Sequence, residues 1–351
     1  MKGRALVTGI TGQDGAYLSK QLIDDGYEVY GTYRRVSSPN FWRLTYLGIE
    51  NSIHLVPCDI LDASSVFRVI KSIKPDFIYN LAAQSQVLTS FDSPLITSQV
   101  TGVSVTNLLE GILRTDKSIR FYNAATSELY GNLGDKGAFD ENSQFKPSSP
   151  YAVSKLYAYW MVKVYRESYG LFAVNGILFN HESELRGLEF VTRKISNEVA
   201  KISLGISKKL MLGNIESYRD WGYAPEYTSA MRMMMESEYP DDYVVATGET
   251  HKIKEFLKLA FEHVSLDYRD YIEISNKFKR PIDVNYLKGN PSKLREKLKW
   301  QQRVSFKELV KLMVDADISR WKNILAGKII PTDAIFYDEN KFDIYSFEGI
   351  V

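Results

Sequence analysis

Strands alternating with helices through the first half of the chain predict an α/β fold, a doubly wound parallel sheet covered by helices on both faces. Three observations carry this prediction. They are the alternation itself, a glycine-rich turn between the first strand and the first helix, and a change of pattern after about residue 180. Taken in order, residues 4–7 read as a short buried strand and 12–25 as the helix after it. Residues 28–33 and 52–56 are the second and third strands, and 63–72 the next helix. A fourth strand at 77–81 leads into a long helix at 95–114, whose apolar residues recur at helical spacing. A fifth strand at 120–125, a helix at 151–169 and a sixth strand at 172–178 complete the alternation. Beyond it, 190–204 reads as an amphipathic helix, 209–213 as a short strand, and the methionine-rich 224–237 as a helix packing back on the first lobe. Helices at 253–264 and 306–315 then build a smaller second lobe.

The 351 residues are enough for two lobes, since single cores stop growing at roughly 250 to 300 residues. A net charge of +1 gives no reason to expect nucleic acid or an anionic membrane as partner. No apolar run approaches the roughly 18 residues that would span a bilayer. The opening Met1-Lys2-Gly3-Arg4 leads directly into a strand and leaves no room for a signal peptide. The single cysteine, Cys58, excludes an internal disulfide framework and suits a reducing cytoplasm. His54, His181, His251 and His263 lack metal-ligand spacing, so no metal site is expected. The 23 tyrosines suit surfaces that grip sugars and flat bases, or simply core packing.

Gly9, Gly12 and Gly15 form Gly-x-x-Gly-x-x-Gly at the first strand–helix junction. Small residues there let backbone approach a pyrophosphate seated on a helix N-terminus, the signature of a dinucleotide site. The second strand ends in Tyr33-Arg34-Arg35, followed by Ser37 and Ser38, where an acidic residue would otherwise hold a ribose 2'-hydroxyl. Guanidiniums match phosphate oxygens, so Arg34 and Arg35 favour NADP. Asp59 and Ile60 follow the third strand and are candidates for the adenine edge, while Leu81-Ala82-Ala83 leaves room for the cofactor beside the fourth.

Tyr151 and Lys155 lie four apart behind Ser149-Pro150, so a helix starting there places phenol and ammonium on one face. A cation beside the phenol is expected to pull its pKa down from about 10 toward working pH. Such a phenolate can accept the proton released when a hydride leaves a carbinol carbon. Thr126-Ser127-Glu128, just beyond the fifth strand, adds a hydroxyl and a carboxylate where doubly wound sheets bind ligands.

Longer phrases extend these motifs across nearly the whole chain: residues 8–15, Ala82-Ala83-Gln84-Ser85, residues 123–128, Leu178-Phe179-Asn180-His181-Glu182-Ser183, residues 190–194, Arg219-Asp220-Trp221-Gly222 and residues 246–251. Together they resemble the extended short-chain dehydrogenase/reductase superfamily, and within it the GDP-mannose 4,6-dehydratases. The resemblance implies a Rossmann-type domain over 1–180 that holds NADP, with 224–245 packing back on it. It also implies a smaller α/β C-terminal domain over 181–351 that binds a GDP-linked sugar. Tyr151 is then the base, Lys155 its tuner and ribose anchor, Thr126 the partner of the sugar 4-hydroxyl, and Glu128 a second acid/base. Gln13 and Asp14 join the three turn glycines at the cofactor, as do Ala82, Asn180, His181 and Arg186. Ser85, Asn180, Lys194 and Arg219 would hold the substrate, with Val191, Gly213 and Asn214 near the base and Arg280 on the phosphates. The family forms tetramers in which a loop matching Arg35 and Ser37 reaches a neighbour's cofactor, so a homotetramer or homodimer is expected.

Three departures from the family pattern bear on the sugar. Glu184-Leu185-Arg186-Gly187 stands where Pro-Arg-Arg-Gly is usual, and Gln86 where a histidine is usual, followed by Leu88 and Thr89. Tyr223-Ala224-Pro225-Glu226-Tyr227 replaces His-Ala-Arg-Asp-Tyr. If the first two face the sugar, a GDP-heptose is an alternative to a GDP-hexose. A nucleotide-sugar 4-epimerase or 4-reductase, or a catalytically silent NADP-binding module, are the other readings to be separated from dehydration.

Overall fold

The computed structural model describes residues 2–37, 40–132, 137–275, 284–328 and 330–331. A seven-stranded sheet runs through it, built from β1 (Arg4–Thr8), β2 (Glu28–Tyr33), β3 (Ile53–Pro57), β4 (Phe77–Asn80), β5 (Arg120–Thr126), β6 (Ala173–Leu178) and, later in the chain, β11 (Asp242–Val245). Every pairing is parallel, in the order β11-β6-β5-β4-β1-β2-β3. The order reverses at β1, so the sheet is doubly wound, as the strand–helix alternation predicts. The edge strand β11 had no counterpart in the sequence reading, which placed 224–245 against the first lobe without a strand in it.

Alternation along β1 sends Ala5 and Val7 to one face and Leu6 to the other. On the first face the core includes Leu18 and Leu22 of α1 (Gln13–Asp24), Trp42 and Leu44 of α2 (Trp42–Tyr46), and Met231, Met234 and Met235 of α9 (Ala224–Glu236). On the second, α3 (Ala63–Ile73), α6 (Ser104–Thr115) and α7 (Pro150–Tyr169) contribute Val66, Ile70, Leu108, Ile112, Ala158 and Val162.

The long helix expected at 95–114 is not uniform. After a short α4 (Val87–Asp92), which the sequence reading lacked, come α5 (Pro94–Ser98), one wide π-helical turn at Gln99–Val103, and then α6. The wide turn sets the Thr101 hydroxyl against the amide of Gln84, 3.1 Å away. That tertiary contact has no signature in local hydrophobic spacing.

Past β6, β7 (Asn180–Glu182) pairs with β10 (Trp221–Tyr223). β8 (Leu210–Leu212) pairs with β13 (Ile272–Ile274), and β9 (Tyr218–Arg219) with β12 (His251–Lys252). A separate core gathers Ile195 and Val199 of α8 (Val191–Ser203), Phe256 and Phe261 of α10 (Ile253–His263), and Leu309 and Met313 of α12 (Phe306–Leu325). The short α11 (Ser292–Leu298) lies against β11. α12 runs ten residues past the expected end at 315, started by a capping box between Ser305 and Glu308. Among the described residues, no helix is long and apolar enough to cross a membrane.

Two buried polar networks fix these parts. Across the sheet, Thr8 Oγ1 donates to Asn80, Asn80 to Asn123, Asn123 to Asn175, and Asn175 to Asp242, at 2.8, 3.2, 2.9 and 2.9 Å. A register slip by one residue would break every link, so the ladder specifies the strand pairing. In the second lobe, Arg193 and Arg320 both bind the buried carboxylate of Asp317, at 2.8 and 2.9 Å, tying α8 to α12.

Candidate active site

A cleft of about 1400 Å³ opens at the C-terminal ends of β1, β4, β5 and β6. Its floor starts at the glycine turn. Gly9 takes a left-handed φ of +69°, and a Cβ there would stand 2.8 Å from the Ala82 amide nitrogen. A Cβ on Gly15 would stand 2.5 Å from the Gly9 carbonyl oxygen. Positions 9 and 15 therefore have to be side-chain free. α1 begins after Gly12 without a side-chain cap, and its first internal bond runs from Ala16 to Gly12. The preceding amides of Gln13, Asp14 and Gly15 line the cleft at the positive end of the helix. With the buried Asn180 Oδ1, which has no hydrogen-bond partner among the described residues, this makes a cradle that fits a dinucleotide.

Gln13, Asp14 and His181 also line the cleft, but they bind one another. Gln13 Nε2 donates to the His181 carbonyl at 3.1 Å, and its Oε1 accepts from Ser183 at 2.7 Å. His181 Nε2 stands 2.8 Å from Asp14 Oδ2, and Nδ1 2.7 Å from the Phe179 carbonyl. Burial disfavours charge on both partners, yet their attraction wins. Asp14 is held below the usual carboxylate range and His181 is raised. The contact favours the charged form of both groups and ties the start of α1 to the segment after β6.

The predicted catalytic residues meet where the end of β5 faces the start of α7. Ser149 caps α7 by accepting from the Ala152 amide at 3.1 Å, with Pro150 in the first turn. Tyr151 and Lys155 follow on the cleft side, 8% and 4% exposed. Thr126 and Glu128, at the end of β5, line the same cleft at 9% and 8% exposure. The Thr126 hydroxyl accepts from the Glu128 amide at 3.3 Å and interacts with the Tyr151 phenol.

The expectation that Lys155 lowers the Tyr151 pKa is not met. Burial pushes the phenol up to about 12, opposed by Thr126 and more weakly by Arg186, with Glu128 raising it further. Lys155 Nζ donates instead to the Ala124 carbonyl at 2.5 Å. Burial also lowers Lys155 to about 8, with Asp14 pulling the other way. Desolvation outweighs pair attraction at both groups.

Of the remaining predicted residues, Leu81, Ala83 and Ser85 border the cleft beyond β4, and Arg186 borders it beyond β7. The Arg186 guanidinium lies 3.5 Å above the Phe190 ring and 3.2 Å from Glu182. Val191, Lys194, Gly213, Asn214 and Arg219 make the opposite wall, from the second lobe. Asn214 braces its own turn through Ser217 at 2.8 Å, and Arg219 is held by the Val284 carbonyl at 2.6 Å. Ala82 supports the floor through its amide, bonded to Thr8 at 3.1 Å, but does not line the cleft. Arg34, Arg35 and Asp59 are exposed, Ile60 is buried against Asn107, and none of the four borders it. Arg280 and Ser38 lie outside the described residues.

The departures from the family pattern separate cleanly. Leu185 is fully buried in the core beside Trp42, and neither it nor Glu184 borders the cleft. Gln86, Leu88 and Thr89 do, on α4 and its N-terminal residue. Glu182, 2% exposed and bonded to Thr192 at 2.5 Å, is a cleft residue absent from the predicted set. Its place in Asn-His-Glu-Ser was the available signal.

A family model described as GDP-mannose 4,6 dehydratase matches residues 6–313. GDP-mannose 4,6 dehydratase 1 of Arabidopsis thaliana is 47% identical over 324 residues, covering 90% of this chain and 89% of that protein. The GDP-mannose 4,6 dehydratase of Homo sapiens is 44% identical over 339 residues, covering 90% and 91%. Among solved structures, the UDP-glucose 4-epimerase of Thermus thermophilus in complex with NAD is similar at a TM-score of 0.78 and 25% identity, covering 90% of this chain and 98% of that one. RMD from Pseudomonas aeruginosa complexed with NADPH shares the fold at a TM-score of 0.74 and 21% identity, covering 91% and 100%.

Proposed function

The chain belongs to the GDP-mannose 4,6-dehydratase family, and from that premise we propose that it converts a GDP-hexose of the mannose type to the GDP-4-keto-6-deoxy sugar with loss of water. The observation that carries this is the convergence of Thr126, Glu128, Tyr151 and Lys155 on one cleft. A bound nicotinamide would supply hydride removal from C4 and hydride return to C6. In its phenolate form, which the elevation to about 12 makes scarcer below that pH, Tyr151 Oη takes the proton from the sugar 4-hydroxyl, which Thr126 Oγ1 orients. The resulting 4-ketone acidifies C5, and Glu128 takes the C5 proton. Glu128 then gives that proton to the departing 6-hydroxyl, releasing water. The proton taken by Tyr151 replaces the one lost from C5, so protons and hydride balance over the cycle.

The dinucleotide is held by the glycine turn, the α1 amides, Asn180 and Lys155. NADP is the favoured form, supported by Arg34 and Arg35 and by the lack of an acidic residue at the end of β2. Lys194 and Arg219 are the cations for the substrate diphosphate. The chain works as a homo-oligomer. Tyr157, Trp160 and Val164 of α7, together with Leu95, Ile96 and Val103, leave an apolar helical face 41% to 78% exposed that a second copy would cover. A reducing cytoplasm suits the single buried thiol of Cys58.

Mass spectrometry of the purified protein with GDP-mannose is the test. The expected product is lighter by one water and forms without added reductant. Glu128→Gln is expected to lower kcat by about 100-fold or more, and full activity in that variant would refute the role given to Glu128. A 4-epimerase or 4-reductase would instead retain the oxygen, the reductase consuming reduced cofactor.

A further inference from the structure

We propose that Gln86, held by Thr89, reads a neutral hydroxyl of the sugar moiety, making this pair the specificity determinant of the cleft; the proposal rests on the nucleotide-sugar reading above. The turn before α4 is braced to a degree that a passive wall does not need. Gln84 receives a bond on its side-chain oxygen from Thr97 at 3.5 Å and donates from Nε2 to the Gln86 carbonyl at 3.1 Å. Its amide is fixed to Thr101 at 3.1 Å. Ser90 then closes the first turn of α4 on the Val87 carbonyl at 2.6 Å. On this frame the Thr89 hydroxyl donates to Gln86 Oε1. With its oxygen engaged, the Gln86 carboxamide keeps its NH₂ group as the end left to donate, and both residues line the cleft. An amide fixed at one end is a preorganised donor, since little rotamer freedom remains to be lost on binding.

Position decides which part of the ligand it meets. Gln86 stands at the N-cap of α4, which packs against α7, the helix that carries Tyr151, so it belongs to the α7 wall of the cleft. Leu212, Asn214, Ser217 and Ile274 line the far side from the second lobe and are left for the nucleoside. Leu88 beside the amide is apolar and Gln86 is uncharged, so the wall suits hydroxyl and carbon surface better than an anionic substituent.

The test compares GDP-mannose with GDP by titration calorimetry in the Glu128→Gln background, where turnover is expected to be slowed by about 100-fold or more. Gln86→Leu is expected to reduce the preference for GDP-mannose over GDP by about 10-fold, with GDP affinity held within about twofold. Thr89→Val, which frees the amide to swing, is expected to give a smaller loss of about threefold. An unchanged preference in Gln86→Leu, an equal loss for both ligands, or no preference in the parent protein would each overturn the proposal. Because these are binding ratios, they stand apart from the water-loss assay. Absence of a dehydrated product with an intact, Gln86-dependent preference would sink the reaction assigned above and leave this inference standing.

Discussion

Tyr151 and Lys155 sit on one face of α7, where their spacing puts them, but their charge states come from burial. Lys155, lowered to about 8 from 10.5, makes stability depend on pH. Between those values the unfolded chain keeps a proton that the folded chain has released, so unfolding free energy rises with pH across the window. Lys155→Met lacks that group. The stability of the natural protein relative to this variant should therefore grow between pH 8 and 10, measured by urea unfolding at several pH values. A flat difference would mean the ammonium is not desolvated. The residue types Thr126, Glu128, Tyr151 and Lys155 were enough to nominate a group that the structure gathers in one cleft, but not to give the direction of the Tyr151 shift. Spacing reveals a neighbour, whereas the balance between a neighbour and lost water depends on Thr126, Glu128, Arg186 and Asp14, brought together from distant parts of the chain.

The glycine turn is the clearest element-scale case, because its three glycines do different work. A Cβ at Gly15 meets backbone at 2.5 Å, whereas at Gly12 the nearest contact is the Gly9 oxygen at 3.3 Å. Gly15→Ala should cost about 1 to 3 kcal/mol of stability through overpacking. Gly12→Ala should leave the melting temperature within a few degrees yet weaken dinucleotide binding about 10-fold, since its new methyl intrudes where backbone approaches the ligand. Differential scanning calorimetry and cofactor titration separate the two; equal losses in both assays at Gly12 would contradict this division. The same scale shows where local reading fails. The helix at 95–114 carries a continuous apolar spacing, but its wide turn answers to Gln84 and α7, which lie outside any local window.

Across the whole molecule, the two lobes share the cleft, and the second is stabilised by charge as well as apolar contact. Asp317→Ala would leave Arg193 and Arg320 buried without their carboxylate, with an expected loss of about 3 to 5 kcal/mol by urea unfolding. A loss below about 1 kcal/mol would mean that water or relaxation replaces the pair. The exposed face of α7 predicts an assembly. Trp160→Glu, at a position 50% exposed, should shift the protein to monomer in sedimentation velocity while leaving its circular dichroism unchanged. A monomeric natural protein would remove the basis for that expectation.

From the sequence alone came the alternation of strands and helices, the glycine turn and the family, together with four candidate residues that the structure brings to one cleft. All of these rest on residue types at short spacing, where backbone geometry leaves few options. Tertiary structure decided the rest. It joined Asp14 to His181 across 167 residues, added β11 as a seventh strand, sent Leu185 into the core and turned Gln86 toward the cleft. It also raised the Tyr151 pKa and lowered that of Lys155 by burial. Each of these follows from which distant surfaces exclude water together, and that quantity exists only once the chain has packed.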